Sequence, residues 1–224
     1  AEPGLSLCPG RGRRDPVKLY RMLFTLTLAT VLASPGEAAQ SGHKHESMGR
    51  GEPLTGHSIY QLDSSWTDQH GAEQQLDRFR GSVVVLAMVY TQCDYACPRI
   101  ISDMRRIRGE LGAEDRDIRF VLVSIDPEGD TVERLASFGE ETGLTERGWT
   151  LLRSNEGNVR ELAAVFGVQY RRVSETDFAH SNVVSVLDRQ GEIAHQQVGL
   201  GATSAPAIAA IESLLAKRKD GAVE

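Results

Sequence analysis

Residues 83–111 read VVVLAMVYTQCDYACPRIISDMRRIRGEL, and this stretch decides the fold. Val83 to Tyr90 is a continuous apolar run rich in β-branched residues, the pattern of a strand buried on both faces. Pro98 to Leu111 carries Ile100, Ile101, Met104, Ile107 and Leu111 at helical spacing, with Pro98 in the first turn, where its missing N–H costs nothing. A second buried strand follows at Ile118 to Ile125 (IRFVLVSI). Strand, helix and strand in this order form a β-α-β unit and imply an α/β domain.

The rest of the chain extends this unit in both directions. Thr131 to Glu141 reads as a helix, with Asp130 at the N-cap and Glu133 three residues on completing a box-like pair. Trp149 to Leu152 is a weaker strand, and Val159 to Phe166 a short helix closed by Gly167. Asn182 to Leu187, the turn Asp188 to Gly191, and Glu192 to Val198 make an antiparallel hairpin. Ala205 to Lys217 is a final helix. Upstream, Tyr60 to Trp66 (YQLDSSW) reads as a short hairpin with a Ser/Asp turn. The order predicts one three-layer α/β/α domain over residues 58–224 with an N-terminal β-hairpin extension. No internal repeat and no Gly-rich phosphate loop is found.

Composition sets outer limits. The chain has 224 residues, 40% of them apolar, and 25 Lys+Arg against 31 Asp+Glu give a net charge of −6. A mildly acidic chain without clustered basic residues is a poor partner for nucleic acid. Three cysteines are too few for a disulfide-stapled scaffold.

Arg11, Arg13, Arg14, Lys18 and Arg21 precede the apolar stretch Met22 to Ala33, and small residues follow at Gly36, Ala38 and Ala39. This describes a secretory signal over residues 1–39, cut after Ala33 or Ala38. Its 12-residue apolar run is short of the roughly 20 that a membrane span needs, which favours a cleaved signal and export to the periplasm over a retained anchor. The chain opens on Ala, and Val17 would be a tidy start at an alternative codon, leaving residues 1–16 untranslated. Cleavage removes five basic and three acidic residues together with Cys8, shifts the net charge to −8, and leaves Cys93 and Cys97 in an oxidising compartment. Residues 40–57 read as a flexible lead-in whose short His/Met cluster, His43, His45, Met48 and His57, could catch a metal loosely or simply be a solvated tail.

The chemistry concentrates at Cys93-Asp94-Tyr95-Ala96-Cys97-Pro98. The junction of buried strand and helix lies at the carboxyl ends of the strands, where ligands bind in such units. A cysteine at a helix N-terminus feels unpaired N–H groups and the positive end of the dipole, which favours its thiolate. Arg99, Arg105, Arg106 and Arg108 would strengthen that field or simply form a solvated helix face. Thiols four residues apart lie one helical turn apart, so both sulfurs can face one soft ion or close a disulfide. Two sulfurs leave a metal site open, so a third ligand is expected. His70 sits in a polar turn and His195 inside a strand. His180, in the loop FAHSN, ranks first because a loop histidine can swing to a metal. Val168 to Ala179 reads as a long polar loop, either a docking surface that moves His180 or an ordinary surface excursion with a small hairpin. Asp126 and Asp130 read first as turn and cap residues, although their place after a neighbouring strand could also bring Asp126 close to the cysteines.

TQCDYACP, SIDPEGDT and AHSNVVSVLDRQG, in this order and spacing, resemble the SCO/SenC family, thioredoxin-like copper proteins of cytochrome c oxidase assembly. The resemblance covers Ser58 to the C-terminal helix. It implies a thioredoxin-like fold and one copper ion, Cu(I) or Cu(II), held by Cys93, Cys97 and His180. It also implies delivery of that copper to the dinuclear copper site of oxidase subunit II or another copper-site recipient protein, by a binding protein rather than an enzyme, peripheral to the membrane at most. One departure is that the Asp-His-Ser common in the family here reads Ala179-His180-Ser181, with Asp177 displaced. The alternative is a thiol-disulfide oxidoreductase, with Cys93 and Cys97 as its redox pair, that reduces the recipient's cysteines before loading. Thioredoxin-type oxidoreductases place a proline opposite their cysteines, whereas this chain has none between Tyr170 and Val183 and offers His180. A third reading, a peroxiredoxin-like peroxidase, wants a hydroxyl before the reactive cysteine and a nearby arginine, which Thr91 fits weakly.

Overall fold

The computed structural model describes residues 47–112, 117–145 and 148–220. The leader of residues 1–39, the proposed start at Val17, and His43 and His45 lie outside the described residues. Nine strands and four helices are found among the described residues. They are β1 (Ser65–Asp68), β2 (Glu73–Gln75), β3 (Val83–Val89), α1 (Ala96–Leu111), β4 (Ile118–Ser124), α2 (Val132–Glu141), β5 (Trp149–Arg153), α3 (Glu156–Phe166), β6 (Tyr170–Arg172), β7 (Phe178–His180), β8 (Val183–Leu187), β9 (Ile193–Val198) and α4 (Ala205–Asp220).

Seven strands form one sheet in the order β2-β1-β5-β4-β3-β8-β9. β3, β4 and β5 run parallel, and β8 and β9 close one side antiparallel. All seven residues of β3 are buried, as its unbroken apolar run requires of a strand lying between β4 and β8. The outermost strand β2 is Glu-Gln-Gln, polar as an edge strand must be to avoid pairing with another chain. α1 packs on α4, and the Arg105 guanidinium at 3.5 Å from the Cβ position of Gly143 brings the end of α2 alongside α1. The α/β fold is as the sequence implies, with the β1–β2 hairpin appended to its N-terminal side.

Three local details depart from the sequence reading. Residues 59–61 form a 3₁₀ turn capped by the Ser58 hydroxyl, and the hairpin begins later, at Ser65. Its turn is fastened by Asp68, whose carboxylate accepts from the N–H groups of His70 and Ala72. The N-cap of α2 is Thr131, whose hydroxyl accepts from the Arg134 N–H. Asp130 points inward instead. Its carboxylate accepts from the Thr91 N–H and hydroxyl and the Ser124 hydroxyl, tying the ends of β3 and β4 together.

The lead-in, read as flexible through residue 57, is fastened to the domain from Ser47 onward. Ser47 bridges His180 in parallel, the Met48 N–H donates to the His180 carbonyl, the Gly51 N–H to Gly167, and the Leu54 N–H to Val165. Gly167 caps α3 at φ 63°, and a Cβ there would stand 2.4 Å from the Gly51 carbonyl oxygen, so only glycine lets the two segments meet.

Candidate metal centre

Cys93 stands in the turn that ends β3, where its N–H reaches the Tyr90 carbonyl at 3.4 Å. α1 begins three residues later, at Ala96, behind an N-cap, Tyr95, that offers no side-chain hydrogen bond. The first N–H groups of a helix have no partner within it. One of them, on Cys97, donates to the Cys93 sulfur at 3.3 Å. The sulfur thus fills the capping role that Ser or Asp usually plays. The Cys97 thiol donates to the same sulfur and is the main reason that the Cys93 thiol lies well below the ordinary range. Burial opposes this effect, while hydrogen bonds from His180 and from the Cys97 and Tyr95 main chain support it. Cys97 is pushed the other way, well above the ordinary thiol value, first by burial and then by the negative Cys93 beside it. The pair is thus polarised, Cys93 toward the thiolate and Cys97 toward the thiol.

His180 comes from a different element. It ends β7, which pairs with β6 in a separate two-stranded sheet. It is a fully buried strand residue, not the loop residue that the sequence suggested. Its Nδ1 lies 3.0 Å from the Ser181 carbonyl oxygen. A carbonyl only accepts, so Nδ1 carries a hydrogen toward it, and Nε2 is the ring nitrogen turned to the sulfurs. Nε2 points to the Cys97 sulfur at 4.0 Å. The ring is further held edge-on to Tyr90, with centroids 5.8 Å apart and planes at 84°. Asp177 does not orient the imidazole directly. It accepts the Tyr90 O–H and, at 2.9 Å, the Phe178 N–H.

The donor atoms of Cys93, Cys97 and His180 all lie within 4.8 Å of one another, and the three residues are buried. Metal–sulfur bonds of about 2.3 Å and a metal–nitrogen bond of about 2.0 Å, splayed trigonally, would separate their donors by roughly 3.7–4.0 Å. The cluster is close to that spacing. Two sulfurs and one imidazole are a soft donor set, and they are one ligand short of a structural zinc site.

Other sequence candidates lie elsewhere. His57 and His70 are exposed, and His195 sits in β9. Asp126 does not turn to the cysteines. Its buried carboxylate accepts from Arg172 of β6 at 2.9 Å, and Arg172 also meets Glu128 and stacks 4.6 Å from the Phe178 ring. Arg106 pairs with Asp103 and the Ala202 carbonyl, while Arg99 lies over the Tyr95 ring and Arg108 over Phe120. Thr91 is engaged with Asp130 and with Arg134, whose Nε donates to its hydroxyl at 3.0 Å, which leaves that hydroxyl committed away from Cys93. A groove of about 850 Å³ between α3 and β6, lined among others by Met48, Arg160 and Phe178, includes none of the three donors. Tyr90 had no signal in the sequence beyond being the last residue of an apolar run.

A family model described as SCO1/SenC matches residues 54–216. The chain belongs to the SCO1/SenC family. A SCO1 protein homolog of Bacillus subtilis is 27% identical over 100 residues, covering 44% of this chain and 52% of that protein. The chain spans between 52% and 65% of the length of the curated relatives it matches. Among solved structures, Bradyrhizobium japonicum ScoI with copper bound is 21% identical with a TM-score of 0.55, covering 68% of this chain and 97% of that one. BsSco, in which a disulfide switch was identified and which belongs to the Sco family of cytochrome c oxidase assembly proteins, is 22% identical with a TM-score of 0.62, covering 74% and 97%. At these identities the structural likeness establishes the fold, which is the thioredoxin-like fold that the sequence resemblance implied. Among its described residues, this SCO1/SenC chain has no helix long and apolar enough to cross a membrane.

Proposed function

We propose that this SCO1/SenC protein is a copper carrier that takes one copper ion on Cys93, Cys97 and His180 and passes it to a recipient, the dinuclear copper site of cytochrome c oxidase subunit II being the candidate. The observation that carries the reading is the meeting of two sulfurs and one imidazole, from elements 83 positions apart, within 4.8 Å in a buried site. The donors are prepared for a soft cation. Cys93 is biased toward the thiolate, Cys97 has one proton to release, and the Ser181 carbonyl holds Nδ1 of His180 so that Nε2 is turned to the sulfurs. Copper-bound ScoI structures support the identity of the ion, and the basic, apolar, small-residue order of residues 1–39 supports export to the periplasm. Burial of all three donors means that transfer requires an opening, and the β6–β7 hairpin, outside the main sheet, is the element free to supply it.

The test is a metal analysis of reduced protein. One copper per chain is expected, with Cys93→Ser, Cys97→Ser and His180→Ala each losing tight binding. Full stoichiometry and an unchanged spectrum in His180→Ala would remove the third ligand and with it the reading.

The asymmetry of the thiols favours a second role. An anionic Cys93 beside a protonated Cys97 is suited to attack a recipient's disulfide, after which Cys97 releases the recipient as dithiol and closes Cys93–Cys97. Two electrons pass to the recipient, so this reaction would prepare its cysteines for loading. Mixing the copper-loaded protein with an apo copper-domain fragment separates the roles, since metal transfer marks the carrier and reduction without transfer marks the reductase.

A further inference from the structure

The buried Tyr90 joins the two halves of the site. It lies three residues before Cys93, and its carbonyl receives the Cys93 N–H. Its ring is 1% exposed and packs edge-on against His180 and, at 5.2 Å, against Phe178. Its O–H donates to Asp177, and its oxygen lies 3.4 Å from the Phe178 N–H, which Asp177 also accepts. One side chain on the cysteine strand is thus bonded to the residues that open β7, the strand that ends in His180. The neighbouring position 179 is a buried alanine with no polar side-chain atom.

Resting on the copper reading, we propose that Tyr90 and Asp177 are a positioning pair: their hydrogen bond holds the β6–β7 hairpin closed so that the His180 ring stands opposite the cysteine sulfurs. Neither residue touches the cargo. The pair acts through the hairpin, and its contribution depends on an acceptor at 177 and not on charge. The consequences are specific. Tyr90→Phe keeps the ring and deletes only the donor. Asp177→Ala deletes the acceptor. Asp177→Asn keeps an acceptor for both the phenol and the Phe178 N–H. Residues that support a metal ligand typically change affinity by about ten to a hundredfold when removed.

The experiment measures two quantities on the reduced full chain. One is Cu(I) affinity by competition with a chromogenic chelator, and the other is the amide exchange rate of Phe178 and His180 in the metal-free protein. Tyr90→Phe and Asp177→Ala should each weaken Cu(I) binding about tenfold and speed exchange in β7, with exchange in β3 and β4 unchanged. The double variant should be no worse than Asp177→Ala alone, because that variant already breaks the bond that Tyr90→Phe removes. Asp177→Asn should restore both quantities. Native affinity and native exchange in the two single variants would overturn the pair, as would fully additive losses in the double variant. If the native chain binds no Cu(I), the copper reading fails by itself, and the exchange rates still decide whether the pair holds β7.

Discussion

Cys93 is where helix chemistry and redox chemistry share an atom. Its sulfur accepts the Cys97 N–H at the start of α1, so the group that ends the helix is also the nucleophile and the candidate ligand. Because its pKa lies well below the ordinary value of 9.0, the thiolate persists as pH falls toward neutrality. Alkylation of Cys93 by a small haloacetamide should therefore proceed at a nearly constant rate between about pH 6 and about pH 8, whereas an ordinary thiol slows roughly tenfold per unit over that range. Cys97 should stay unmodified throughout, being fully buried and protonated. An ordinary pH profile for Cys93, measured by mass spectrometry, would contradict the assignment. The sign for stability follows the same logic. A depressed Cys93 adds stability as pH rises toward the unfolded thiol value and loses it in acid, while the raised Cys97 makes folding less favourable above that value. Much of the cysteine chemistry is legible in the sequence, because a helix start after a buried strand implies its field. The Tyr90–Asp177 bond is not legible, since a tyrosine ending an apolar run looks like any core aromatic.

At the scale of elements, what could be read depended on burial. β3, β4 and α1 stand close to where their patterns put them, because a strand covered on both faces must be apolar throughout and a half-covered helix must be periodic. β6 and β7 have three residues each, and Tyr-Arg-Arg with two exposed positions carries no strand signal, so residues 168–179 read as loop. The start of α2 illustrates a competition between neighbours. Asp130 and Thr131 are both good caps, and the buried hydroxyls of Thr91 and Ser124 claim the aspartate, leaving Thr131 to cap. Thr131→Ala should therefore cost about 1 kcal/mol in urea unfolding. Asp130→Ala should cost more, because it strips partners from several buried donors at once. Burial raises the Asp130 carboxyl above 3.8, so its contribution is full below that pH and declines as pH rises through its folded value. Asp130→Asn should remove that decline, leaving unfolding free energy flatter than native across mildly acidic pH; an unchanged slope would show that another group is responsible.

For the molecule as a whole, the convergence of Cys97 with a histidine 83 positions later is not derivable from periodicity; the comparison of the histidines and the resemblance pointed to it. Nor did the sequence show that residues 47–54 are fastened across the far side of the histidine hairpin, since Ser-Met-Gly-Arg-Gly is polar and glycine-rich like any linker. Removing residues 1–54 should leave the domain folded but lower its stability by roughly 1–3 kcal/mol, with faster amide exchange in β7, because three main-chain hydrogen bonds are lost and one of them is to the His180 carbonyl. Native stability in that truncated protein would show that the strap carries no load. The arrangement also has a mechanical meaning. Among the described residues, the first main-chain bond met from the amino end is Met48 to His180, so tension applied upstream reaches the backbone of the imidazole strand before it reaches the sheet.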